Sequence, residues 1–373
     1  MTPSTLEGIL KGKEICVCAG AGGVGKTTTS AAIAMGMAAT GKKVAVLTID
    51  PARRLANSLG LPELGNEERQ VGAERFDAAG LEMRGELWAM MLDAKRTFDD
   101  LVEQYAPDEA ARDRVLNNRI YKELSNAVAG SQEYMAMEKL YELHAEGRYD
   151  LLVLDTPPSR NALDFLDAPE RLSRFIDSRS LQFFLAPGRT GLKVFGRGTG
   201  LMFAALKRVT GINLLQDLSE FFQAFGDMAD GFNERAVKVS RLLSEPRVTF
   251  LLVTSPQKES IDEAVFFHRR LEERNMPFGG VVVNRMHVEG SADEAAVAAV
   301  EGDLSKLLDP KLAQRVARNF EDYRALAERD SENVTALAAE LSGEPLMIVP
   351  YLEDDVHDIG GLALMNDHLF AAA

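Results

Sequence analysis

Apolar residues fall into short runs bounded by turn residues, and longer stretches of helical periodicity separate the runs. The runs cover residues 14–19, 43–49, 87–92, 151–154, 248–253, 280–283 and 346–349. Near-continuous apolar runs of this length, rather than alternating ones, mark strands buried on both faces, as in parallel sheets. The helical stretches supply crossovers. The predicted assembly is a doubly wound α/β fold with a mostly parallel sheet of about seven to eight strands. Its first strand is expected near the centre, with functional loops at the carboxyl ends of the strands.

Two inter-strand spacings are too long for a simple crossover. The first, Asp93 to Tyr149, reads as wholly helical, with helices expected over 112–128 and 132–146. The second runs from about Pro169 to Pro246. A structureless loop of such length inside a compact domain is implausible, so each is expected to be a helical insertion. The expectation is a single α/β domain over 1–373, whose insertions at about 94–148 and 169–246 form a helical subdomain. A third helical block, 291–341, separates the last two strands.

Apolar residues make up 46% of the chain and charged residues 27%, the balance of a soluble globular protein. A net charge of −15 argues against nucleic acid as a partner, because binding a phosphate backbone calls for a basic surface. Cys16 and Cys18, the two cysteines, share the first strand. Their spacing places both side chains on one face, yet suits a disulfide poorly, so buried reduced thiols are expected. No third cysteine completes a metal site around them. No run approaches the ~18 apolar residues of a membrane span, and residues 1–13 lack a signal-peptide layout. A cytoplasmic protein is expected.

The chemistry concentrates after the first strand. Gly20, Ala21, Gly22, Gly23, Val24, Gly25, Lys26 and Thr27 fit the pattern G-x-x-x-x-G-K-[ST] with no mismatch. An apolar strand enters this loop and an Ala-rich helix leaves it from Thr28 onward, which is the context the motif needs. Backbone N–H groups of such a loop turn toward phosphates, and the helix begins at the phosphate site. Lys26 would reach the β- and γ-phosphates of ATP, and the Thr27 hydroxyl would ligate Mg²⁺.

Other strands end in matching residues. Asp50 closes the run from Val44 and precedes Pro51; it suits either the orientation or deprotonation of an attacking water, or a helix N-cap. Asp155 closes Leu151-Leu-Val-Leu and suits a magnesium shell, with an N-cap as the plain alternative. Thr156-Pro-Pro-Ser-Arg-Asn161 follows as a stiff turn placed to sense a γ-phosphate. Asn284 ends the next-to-last strand; its amide can pair with an adenine edge, though spacing alone does not assign it.

Taken together, AGGVGKTTT, IDPARRL, DTPPSRNALDFLDAP, VVVNR and VPYL, in that order, resemble the arsenite-pump ATPase (ArsA) family. That family includes the ATPases that deliver tail-anchored proteins to membranes and belongs to the MinD/ParA, or SIMIBI, class of P-loop NTPases. The segment QEYMAMEKL at 132–140 is similar to that of bacterial ArsA-like members. The resemblance implies that Asp50 is the hydrolytic acid, that Asp155 serves the magnesium shell, and that Asn284 and Pro350 line the adenine pocket. It puts Pro51, Arg53 and Arg54 in a first switch and 157–161, including Pro157 and Pro158, in a second. It also implies a dimer with ATP at or near the subunit interface.

The chain departs from the family pattern in several ways. Ala21 stands where the family's loop carries a lysine that crosses to the partner's nucleotide. It has no C-x-x-C for a zinc at the dimer interface and no cysteines placed for a metalloid, and it has one phosphate loop only. Two assemblies therefore stay open: a homodimer, or a heterodimer with a lysine-bearing paralogous ATPase. Arg53 or Arg54 replacing the missing lysine is a further option.

Between 178 and 216 the composition changes. Arg179, Arg189, Lys193, Arg197, Lys207 and Arg208 occur there without any Asp or Glu, interleaved with apolar residues and glycines. That mixture suits an anionic membrane surface or an apolar helix, and equally suits helical core with a basic rim. The expected function is an ATP-driven switch that targets or transports a hydrophobic, membrane-protein cargo, with peripheral membrane association. A nucleotide-binding subunit of a heterodimer is the alternative, and metalloid efflux a weaker one.

Overall fold

The computed structural model describes residues 6–50, 53–119, 121–122, 131–156, 166–171, 228–288 and 308–370, together with single positions 174, 221, 226 and 306. The chain divides into two compact units. One consists of Met1–Met90, Gly147–Ala162 and Glu245–Ala373, the other of Met91–Glu146 and Leu163–Ser244.

The first unit holds an eight-stranded sheet: β1 (Ile15–Ala19), β2 (Lys43–Thr48), β3 (Arg69–Gln70), β4 (Glu86–Met91), β5 (Leu151–Asp155), β6 (Val248–Thr254), β7 (Phe278–Met286) and β8 (Leu346–Pro350). Their order across the sheet is β3-β4-β2-β5-β1-β6-β7-β8. All seven apolar runs are strands, and β1 is central. The eighth strand, β3, is two exposed residues pairing antiparallel with β4 at the edge. Pairings of β1 with β5 and β6, β2 with β5, and β7 with β6 and β8 are parallel. β1, β5 and β6 are buried along their whole length, which explains their lack of polar alternation.

Helices of this unit are α1 (Leu6–Ile9), α2 (Lys26–Ala39), α3 (Arg54–Ser58) and α4 (Ala73–Ala78), with α9 to α11 following β6. Those last three are α9 (Lys258–Glu273), α10 (Pro310–Glu340) and α11 (Ile359–Leu369). Helix α2 is Ala-rich because it lies buried against the sheet, where small side chains allow close approach. Helix α10 starts with Asp309 accepting from the Lys311 N–H at 2.9 Å and with Pro310 in its first turn, the arrangement that suits a helix start.

The second unit is helical among its described residues: α5 (Ala94–Tyr105), α6 (Glu109–Leu116), α7 (Ser131–Glu146) and α8 (Ala229–Leu243). The helix expected over 112–128 is interrupted at Asn117 and Asn118; residues 119, 121 and 122 are helical again, and 123–128 lie outside the described residues. Aromatic rings fill this unit's core; Phe98 lies 5.6 Å from both Tyr121 and Phe232. Glu138 of α7 is buried and paired with Arg235 of α8 at 2.5 Å. Burial raises the Glu138 pKa despite that guanidinium.

Pro51, Pro157, Pro158 and the basic stretch 178–216 lie outside the described residues. Among the described residues, no helix is long and apolar enough to cross a membrane.

Candidate functional site

The loop between β1 and α2 is shaped by its glycines. Gly23 and Gly25 have φ of 82° and 93°, in the left-handed region that favours glycine. A Cβ on Gly25 would collide with Nδ2 of Asn284, and one on Gly20 with the Val253 carbonyl oxygen. The motif is therefore fixed by contacts with β6 and β7 as well as by its own turn. Helix α2 starts directly at Lys26, so its unpaired N–H groups open onto the loop.

Lys26 is buried, and its ammonium donates to the carbonyl oxygens of Gly20 at 2.9 Å and Ala21 at 2.7 Å. Burial lowers its pKa, against the opposing pull of Asp155 and Asp50. A cation resting on its own loop's carbonyls is stored where a phosphate would offer better acceptors.

Asp155, at the end of β5, is 1% exposed. Its Oδ2 accepts the Thr27 hydroxyl at 2.7 Å and the Thr48 hydroxyl at 2.8 Å. Burial is the main cause that lifts its pKa to about 6, opposed by those two hydroxyls and by Lys26. Its other oxygen, Oδ1, is buried with no hydrogen-bond partner among the described residues. An ionised carboxylate so placed has spare capacity for a cation or a cation-bound water. Thr27 and Asp155 fit a magnesium ion on that count.

Asp50 follows β2, and its backbone N–H donates to the Thr48 hydroxyl oxygen at 3.2 Å. Thr48 thus connects Asp50 to Asp155. Arg54 lies 3.8 Å from the Asp50 carboxylate, whereas Arg53 sits at φ 56° before α3 and pairs with Glu63 at 3.7 Å. The structure separates the two arginines: Arg54 faces the acid and Arg53 faces away.

Asn284 is clamped to the phosphate loop. Its Nδ2 donates to the Val24 carbonyl at 2.9 Å, and its Oδ1 accepts from the Arg285 N–H at 3.0 Å. These bonds use one of the amide's two N–H donors and one of its two lone pairs. Beside it opens a cavity of about 270 Å³, lined by Asn284, Arg285, Pro350, Tyr351, Asp354 and Met365, with Gly25 and Thr28 at the loop side. This approaches the ~300 Å³ at which ligand pockets begin. Gly25, Thr28, Asn284 and Pro350 therefore share one cavity.

Sequence reasoning missed Thr48, Tyr351, Asp354 and Met365. Thr48 looked like β-branched strand filler, and only its position two residues before Asp50 carried a signal. Tyr351 directly follows Pro350, but Met365 reaches the cavity from α11 with no local motif.

The family model described as anion-transporting ATPase matches residues 13–328. The ATPase GET3 of Malassezia globosa is 25% identical over 288 residues, 76% of this chain and 76% of that one. The putative arsenical pump-driving ATPase 1 of Aquifex aeolicus is 26% identical over 352 residues, 92% of this chain and 75% of that one. An ASNA1 homolog ATPase of Plasmodium chabaudi chabaudi is 23% identical over 363 residues, 94% and 85% respectively. All of these are matches to the chain that carries the loop, the two acids and the cavity just described.

Proposed function

Because this chain belongs to the ArsA family of anion-transporting ATPases and hydrolyses ATP, we propose that it works as a dimeric switch coupling hydrolysis to the targeting or transport of a hydrophobic, membrane-protein cargo. One observation carries the switch: a single buried oxygen of Asp155 gathers Thr27 of the phosphate loop and Thr48, which in turn holds the backbone of Asp50. Any change at the phosphate loop is thereby linked to the strand end that bears the acid.

In this reading the loop N–H groups from Gly22 to Thr28 and the Lys26 ammonium bind the β- and γ-phosphates. Thr27 and Asp155 would hold Mg²⁺, which supplies charge neutralisation on the phosphates when bound. Asp50 orients the attacking water and takes its proton as the terminal P–O bond to ADP breaks. Arg54, beside Asp50, is the nearer of the two arginines to serve as the stand-in cation for the missing lysine. Asn284 and Pro350 hold the adenine. The segments at 51–54 and 157–161 act as the switches that respond to the γ-phosphate.

Cargo other than a metalloid is favoured by the thiols. Cys16 and Cys18 are free and fully buried in β1, and the Cys16 pKa is raised well above its ordinary value by hydrogen bonding to Cys18 and by burial. Such thiols are poor soft-metal ligands, since the thiolate is the ligating form.

Ala21 supports a second reading, a subunit completed by a lysine-bearing paralogous ATPase. The two readings separate in the ATPase rate per chain measured against concentration of the purified chain. A rise to a plateau supports the homodimeric switch. Negligible turnover at all concentrations, restored by a paralogue, supports the subunit, and concentration-independent turnover overturns both.

A further inference from the structure

Three residues with no part in the chemistry above join the long helix α10 to the cavity wall. His287 directly follows β7. Its backbone N–H donates to Oδ2 of Asp330 at 3.1 Å, and its Nδ1 lies 2.7 Å from the same oxygen. Asp330, on α10, is fully buried, and its Oδ1 accepts from Arg329 Nη2 at 2.8 Å and Nε at 3.3 Å. A buried carboxylate is costly unless its lone pairs are filled, and these four bonds fill them. Burial opposes its ionisation, but the hydrogen bonds from Arg329 and His287 prevail and keep its carboxyl below the ordinary range.

The Asp330 contact fixes the plane of the imidazole. With Nδ1 and the backbone N–H both directed at one oxygen, the His287 ring stacks on Tyr351, with centroids 5.4 Å apart and planes 12° from parallel. Tyr323 of α10 meets the same ring edge-on at 5.3 Å. Tyr351 is 55% exposed and lines the cavity beside Asn284. Its backbone N–H donates to the Met286 carbonyl at 2.9 Å, which anchors the main chain of the residue but not its ring. Stacking on His287 is a contact that restrains the ring.

We propose that Asp330 and His287 are positioning residues for the purine base of the nucleotide: Asp330 orients the His287 ring, and His287 holds Tyr351 as the base-stacking wall of the cavity. The inference rests on the reading of that cavity as the base pocket. Aromatic stacking on a base commonly changes affinity by roughly tenfold or more on truncation to alanine.

The test is calorimetric titration of the full chain with a non-hydrolysable ATP analogue and, separately, with inorganic tripolyphosphate, alongside steady-state ATPase kinetics. Tyr351→Ala, His287→Ala and Asp330→Asn are each expected to weaken the analogue about tenfold, with tripolyphosphate affinity unchanged. KM should rise with kcat nearly constant, Tyr351→Phe should behave as the parent, and the double variant His287→Ala/Tyr351→Ala should be no weaker than either single one. Should Asp330→Asn fail to fold, His287→Ala carries the test. Loss in Tyr351→Ala alone overturns the positioning role while leaving the pocket intact. Parent-like binding in both Tyr351→Ala and Asn284→Ala overturns the base-pocket reading and this inference with it. An equal loss for tripolyphosphate means a general structural role, and likewise overturns the proposal.

Discussion

The Thr48 hydroxyl donates to Oδ2 of Asp155 at 2.8 Å, and the same hydroxyl oxygen accepts the backbone N–H of Asp50. One threonine thus ties Asp155, proposed above for the magnesium shell, to the strand end that carries Asp50, proposed above as the hydrolytic acid. Thr48→Val keeps the shape and removes both bonds. A hydrogen bond to a charged group contributes about 1.5–3 kcal/mol, so the variant should melt earlier. Turnover should fall about tenfold while nucleotide affinity stays close to the parent's, as read by ATPase assay and calorimetry.

The elevated pKa of Asp155 gives a pH signature in the nucleotide-free protein. An aspartate at about 6 when folded and near 3.8 when unfolded binds more protons in the folded state between those values. Stability therefore falls as pH rises from about 4 through 6, and the carboxylate's cost is fully present above that. The difference corresponds to on the order of 3 kcal/mol. Asp155→Asn, kept free of nucleotide with EDTA, should be more stable than the parent at pH 7. Chemical denaturation should show that advantage shrinking as pH falls below 6 and gone near 4.

Gly25→Ala combines a φ of 93° with a collision against the Asn284 amide. At least about 1 kcal/mol of stability should be lost. The displaced Asn284 would also release its bond to Val24, so ATP affinity should drop at least tenfold. Gly41→Ala, also at positive φ but with open space around it, should share the stability loss and keep the affinity.

Ala21→Lys restores the residue that the family's loop carries. In a homodimer, the added cation at the partner's phosphates should raise turnover of the purified chain at least tenfold, in line with transition-state cations supplied in trans. The rate increase should vanish on dilution below the dimer's dissociation constant.

The strands were legible because burial on both faces leaves a continuous apolar run in β1, β5 and β6, and because β4 and β8 keep apolar residues even where Trp88 and Ile348 are less buried; each of the seven runs is a strand of the sheet. The phosphate loop was legible because its glycines answer local demands of the backbone at Gly23 and Gly25. Long-range partnerships were not. Asp330 and His287 are 43 residues apart, and nothing in the periodicity of α10 distinguishes a buried aspartate from its charged neighbours. The break at Asn117 and Asn118 within the helix expected over 112–128 was not legible because both residues lie in an otherwise helical pattern. Strand β3 escaped notice because two exposed residues, Arg69 and Gln70, carry no apolar signal. The cavity behind Asn284 is assembled from the phosphate loop, the start of α2, β7, β8, the loop after it and α11; the sequence points to Gly25, Thr28, Asn284 and Pro350 among its lining residues, and to none from that last loop or α11.

The central claim is that Asp50 performs the hydrolytic step at a site whose nucleotide is held by other residues. Its direct measure is Asp50→Asn assayed for both ATP affinity and single-turnover hydrolysis at saturating Mg²⁺. The account predicts parent-like affinity with hydrolysis reduced at least a hundredfold, the range for a lost general base. Hydrolysis at the parental rate with ATP fully bound would contradict it.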